Sequence, residues 1–184
     1  IDAMGNNASR LVIDKASLAN AVAGQFFSLW TATGIPGAGS APGAAANPTS
    51  ATTGAFGFAN QTAPATSYLA WLAVQFSLSA SNLDIHDRLA HMSGLSGTVT
   101  TSQGALSLVT NSPGAARLGD ANYSDVQWWL EIYTALGATG VNATVAVEYN
   151  DGSTGNLAAI ALGATPRAGR LYPLISAVAG KFIR

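Results

Sequence analysis

Residues 141–162 read VNATVAVEYNDGSTGNLAAIAL, and the fold is decided there. Val141, Ala143, Val145, Val147 and Tyr149 occupy alternate positions, so on a strand they share one face. Asn150, Asp151 and Gly152 then supply turn chemistry, and residues 157–162 are apolar enough to return as the partner strand. The stretch predicts an antiparallel hairpin with one buried face.

The same period recurs upstream. In residues 126–134, VQWWLEIYT, Val126, Trp128, Leu130 and Ile132 are expected to face a core, with Gln127, Trp129, Glu131 and Tyr133 facing outward. Helical spacing also fits, but the β-branched and aromatic content and the following Gly137 favour a strand. Residues 68–77 read as a strand apolar on both faces, and 83–89 as a second. Shorter candidates lie at 11–13, 25–31, 98–101 and 106–110, and 17–20 reads as a turn or brief helix. After Pro166, residues 171–183 are expected to form a last strand or a docked tail. Turn signals between short alternating strands imply an all-β fold, an antiparallel β-sandwich of jelly-roll-like or Ig-like type.

Two segments fall outside this pattern. Residues 1–24 read as an extended N-terminal arm, and 25–184 as a single sandwich domain. Within that domain, 34–66 form a long Gly/Pro/Ala-rich loop, where proline and glycine prevent a helix or central strand. The loop is either solvated or a strap ordered on a neighbouring subunit, and we favour the strap. Phe56 and Phe58, its only aromatic residues, would suit docking into a groove.

Hydrophobic residues make up 48% of the 184, and charged residues only 9%, against roughly 25% in ordinary soluble proteins. A chain so poor in charge is expected to hide much of its exterior against partners. With eight basic and nine acidic residues and a net charge of −1, it offers no basic stripe for nucleic acid. No stretch approaches the roughly 18 apolar residues of a membrane-spanning helix. Cysteine is absent, which removes disulfides, thiolate metal sites and cysteine nucleophiles.

Chemistry finds little footing. Asp84, His86, Asp87, Arg88 and His91 form the densest polar run, but the chain holds only two histidines, and metal sites usually need three or four ligands. The plainer reading is a strand end where Asp and Arg pair and His91 meets a loop carbonyl. Ser96 in Gly94-Leu95-Ser96-Gly97 lacks the second glycine of a nucleophile elbow. Nothing marks Asp120, Asp125, Glu131 or Glu148 as a catalytic carboxylate pair. The run Gly37-Ala38-Gly39 lacks the rest of any nucleotide-binding motif. No catalytic, metal or cofactor residue is assigned. The candidate interface residues are Phe56, Phe58, Trp129 and Tyr133, the last two as an outer aromatic patch.

Four stretches occur in a fixed order: FSLW at 27–30, GIPGAG at 34–39, DRLAHMSGLSGT at 87–98 and VQWWLE at 126–131. Together, over about residues 11–170, they resemble a family of virion structural proteins of tailed bacteriophages. The resemblance implies a non-enzymatic capsid decoration (cement) subunit on the capsid exterior. Its expected partners are the major capsid protein and further copies of itself, a trimer among the options, with no nucleic acid and no membrane. The alternatives are a tail or fibre component, a glycan-binding receptor-recognition module, and a hydrolase of envelope polysaccharide.

Overall fold

A computed structural model describes residues 11–18, 22–57, 64, 72–77, 81–107 and 115–184. Nine short strands occur among them: β1 (Asp14–Lys15), β2 (Phe26–Phe27), β3 (Gly34–Ile35), β4 (Trp128–Glu131), β5 (Val141–Ala143), β6 (Ala146–Glu148), β7 (Thr154–Asn156), β8 (Ile160–Gly163) and β9 (Arg170–Leu174). One helical turn, α1 (Ala115–Leu118), precedes β4. Every pairing is antiparallel, in sheets ordered β1-β3, β2-β9-β4, β5-β8 and β6-β7. The protein is all-β, with a sandwich-like arrangement of several antiparallel sheets.

The hairpin at 141–163 organises the rest. Its turn has three residues: Gly152 N–H donates to Tyr149 O at 2.8 Å, and Tyr149 N–H to Ser153 O at 2.8 Å. Gly152 sits at φ +81°, the left-handed conformation that such a loop requires at its last position. Asp151 closes the turn by accepting from Ser153 N–H at 3.0 Å and Ser153 Oγ at 2.6 Å. The return strand starts at Thr154, earlier than the expected residue 157, because this turn consumes only Asn150, Asp151 and Gly152. The ladder is interrupted between β5 and β6, where Leu157 N–H bonds Val145 O at 2.9 Å and keeps the two halves continuous.

Alternation along 141–149 matches the packing. Val147 and Tyr149 are buried with Val145 packed partly buried against them, and Val141 and Ala143 pack partly buried against Ile132, Leu162 and Tyr172. They face the three-stranded sheet through two small cores. One holds Val147, Tyr149, Leu157 and Ile183 with Trp128 and Leu174; the other holds Ile132, Leu162 and Tyr172 with Leu130. Trp128, Leu130 and Ile132 point inward, as their period of two predicts. Tyr172, buried in the second core, satisfies its hydroxyl on Leu162 O at 2.7 Å. Residues 171–183 supply both a strand and a docked tail: β9, then Ile183 bridged to Tyr149 and anchored by Trp128 Nε1 donating to Ile183 O at 3.0 Å.

Other strand expectations are corrected. The first strand is Asp14–Lys15, not residues 11–13. It forms where Gly34 lets the backbones close: a Cβ on Gly34 would lie 1.8 Å from Asp14 O, and its φ is +131°. Residues 72–77, 83–89, 98–101 and 106–107 form no strand. The remainders of those candidates, 68–71 and 108–110, fall outside the described residues. Of the segment 25–31, only Phe26–Phe27 pairs, on β9.

The Gly/Pro/Ala-rich loop, over its described part, is fastened to its own chain. Gly39 N–H donates to Trp30 O at 2.8 Å, and Trp30 Nε1 to Ser40 O at 3.1 Å. Ala46 and His91 exchange both backbone hydrogen bonds, at 2.9 and 3.0 Å. Asn47 Nδ2 reaches Leu89 O at 3.0 Å, and Ser93 Oγ bonds Pro42 O.

Candidate functional site

Arg88 lies at the centre of the described polar groups. Its guanidinium donates to Glu131 Oε2 at 2.8 Å, to the Tyr133 hydroxyl at 3.4 Å and to Ser28 Oγ at 3.2 Å. It also lies 4.7 Å from the centroid of the Trp30 ring, a cation–π contact. Trp30 in turn meets His91 edge-on, with centroids 5.4 Å apart. Residues from three distant parts of the chain therefore share one cluster. The polar run of 84–91 is not the strand end that the sequence suggested. Asp87 pairs with Arg117, at 2.6 and 2.8 Å, and Arg88 with Glu131. Arg117 also donates to Pro48 O at 2.9 Å, which ties the loop to α1.

Glu131 is the main surprise. Its strand parity pointed outward, yet its side chain is only 8% exposed, because Arg88 and the loop behind it cover that face. An acid inside an aromatic strand demands a cationic partner, and that was the available signal. Burial also raises the Tyr133 hydroxyl to about 12, with the Glu131 carboxylate pushing the same way. Burial lowers the His91 imidazole below its ordinary value, helped by Arg88 and opposed by Glu131. His91 Nδ1 and Glu131 Oε1 are buried without a hydrogen-bond partner among the described residues.

This arrangement fastens a loop to the sheet. Tyr133 is held protonated and His91 neutral near pH 7, and neither faces a nucleophile. Ser96 Oγ bonds Thr98 Oγ1 at 3.0 Å, while Gln103 grips both backbone groups of Ser96. Asp120 caps a local turn through Asn122 N–H and Ser124 Oγ, and Glu148 pairs with Arg184. Asp84 and His86 are exposed. No group of three metal-ligating side chains occurs among the described residues. No helix among them is long and apolar enough to cross a membrane.

The three described interface candidates make separate contacts. Trp129 is half-buried with its edge against Phe26, centroids 5.3 Å apart at 61°, and Phe26 itself is 49% exposed. Tyr133 lies half-buried in the Arg88 cluster. Phe56 is half-buried in the loop, and Phe58 falls outside the described residues. Sequence reasoning missed a larger feature. Sixteen large apolar side chains are exposed among the described residues, against eight buried apolar ones. Comparison with protein-family models, with curated proteins and with solved structures finds no match to this chain.

Proposed function

We propose that this chain is a non-enzymatic structural subunit whose activity is to be covered by neighbouring proteins, and that its setting is the exterior of a tailed-phage capsid as a decoration subunit. The observation that carries the first part is the set of sixteen exposed large apolar side chains among the described residues, on a chain with 9% charged residues. A lone soluble protein rarely leaves so much apolar area open, whereas assembly subunits do. The capsid placement rests on the ordered motifs at 27–30, 34–39, 87–98 and 126–131. Association would work by burying surface repeatedly, against the major capsid protein and other copies of this chain, with avidity from multiple contacts.

Two measurements test the two parts. Purified chain should sediment with emptied phage heads and not with host cells; binding to cells alone would favour receptor recognition by a tail or fibre part. Averaged images of intact particles should place the subunit on the outer shell. Density confined to the tail would refute the capsid placement and leave the structural role standing.

A further inference from the structure

Of the described basic residues, Arg88, Arg117, Lys181 and Arg184 meet carboxylates, and Lys15 meets two backbone carbonyls. Arg167 and Arg170 remain, and neither forms an ion pair with a described carboxylate. Both line one recess of about 190 Å³ beside β2. Arg170 is set there by β9, opposite Phe27 of β2, and its guanidinium lies over the Tyr172 ring, 4.4 Å from the centroid. That contact positions the group and leaves its N–H donors unspent. The loop that carries Arg167 is pinned on both sides. Thr165 N–H donates to Gly137 O at 2.9 Å, Leu136 N–H to Pro166 O at 3.1 Å and Gly169 N–H to Ile132 O at 2.7 Å. Thr165 takes φ +51°, a left-handed conformation that β-branched residues rarely adopt.

We propose that this recess binds a carboxylate carried on a short apolar stem, with Arg167 and Arg170 as its cationic donors. Charge, size and lining point the same way. Two like charges brought to one place repel, and an anion between them offsets the cost. A guanidinium gives planar, two-point contact to a carboxylate or phosphate. At about 190 Å³ the recess is smaller than the ~300–1,000 Å³ that encloses a drug-sized ligand, so it admits one functional group and little more. Gln25 and Thr165 add an amide and a hydroxyl, while Phe27, Ala164 and Pro166 add apolar wall. Methylene groups would lie against that wall, and inorganic phosphate has none. The site does not depend on the covered-surface reading above.

The test uses the full chain with isotope-labelled arginine. Butyrate should move the Nε–H resonances of Arg167 and Arg170 along a saturating curve and leave that of Arg88 in place. Butyramide, its neutral counterpart, should move none. Arg167→Gln, at an exposed position, should weaken butyrate binding about tenfold or more, and Arg167→Lys should recover only part of the loss. No saturating response, or inorganic phosphate held more tightly than butyrate, would overturn the carboxylate site. Asp2 is the one acidic residue outside the described ones. Tighter butyrate binding by Asp2→Asn than by the wild type would assign the recess to the chain's own arm and overturn the proposal too. Sedimentation with emptied phage heads separates the two sources of a carboxylate. An acidic side chain on a neighbouring protein predicts that butyrate and Arg167→Gln each reduce it; a free organic acid predicts that neither does.

Discussion

Removing the Arg88 guanidinium should cost far more than its single ion pair suggests. The Arg88–Glu131 contact is 2.8 Å long, with side chains 26% and 8% exposed. At an effective dielectric of 20 the gross attraction is about 6 kcal/mol, and desolvation of both ions offsets most of it. The intact pair is therefore worth little against an apolar pair of the same shape, but half a pair is costly. Arg88→Met leaves the Glu131 carboxylate buried, with Oε1 already lacking a partner. We expect a loss of about 3 kcal/mol, the lower end for a broken buried pair because Arg88 is partly wetted. For a 184-residue chain that is a fall of roughly 6–12 °C in Tm. Glu131→Gln should cost only about 1–2 kcal/mol, since Arg88 keeps Ser28, Tyr133, Trp30 and water. The double variant should be less damaged than the two singles added, by about 1–2 kcal/mol. Thermal and urea unfolding of the four proteins close the cycle. A cost below ~1 kcal/mol for Arg88→Met, or additivity within ~0.5 kcal/mol, would refute the reasoning.

Other outcomes follow from the same geometry. His91 has a lowered pKa in the folded state, so its contribution is fully present above the unfolded value near 6.5 and is lost as pH falls through the folded value; Tm measured from about pH 7 to pH 5 should drop, and His91→Gln should flatten that slope. Leu157→Ala, at a position 5% exposed, should cost about 2–5 kcal/mol in urea unfolding, whereas Ile175→Ser, at 71%, should stay within about 0.5 kcal/mol for the isolated chain. Gly34→Ala cannot be accommodated beside Asp14 O, so the β1–β3 pairing should open at a cost of roughly 1–3 kcal/mol and expose residues near 14 and 35 to protease.

What the sequence made legible was local. The alternation at 141–149 and the Asn-Asp-Gly turn specify their own partner a few residues away, so the hairpin could be read directly. Trp128, Leu130 and Ile132 declared the inner face of β4 for the same reason. The long-range links carry no such signature. Arg88 finds Glu131 over a separation of 43 residues, and Ala46 meets His91 over 45, which no periodicity announces. Residues 72–77 and 83–89 have strand-like side chains, but a strand also needs a partner, and side-chain pattern is silent on where one lies. The outward assignment of Glu131 failed because parity reports which face of a sheet a residue takes, and not whether the other face is covered.

The distribution of charge unites these features. Four ion pairs, Arg88–Glu131, Arg117–Asp87, Lys181–Asp151 and Arg184–Glu148, take up eight of the chain's seventeen charged residues. Arg88 fastens its loop to β4, Arg117 ties α1 to the residues around 48 and 87–88, and Lys181 and Arg184 hold the C-terminus against the hairpin. Lys15, whose pKa burial lowers, is turned inward as well, donating to Ala32 O at 2.9 Å and Gly37 O at 3.2 Å. About half of this chain's few charges are thus tied into pairs with one another, while the Asp87, Asp151 and Glu148 carboxylates are still 57%, 48% and 43% exposed. Leu72, Val74, Phe76 and Ile175 are exposed as well. Soluble monomers close more of their large apolar groups within. Ion pairs therefore brace the loops and tail of this chain, while much of its apolar side-chain surface is left uncovered.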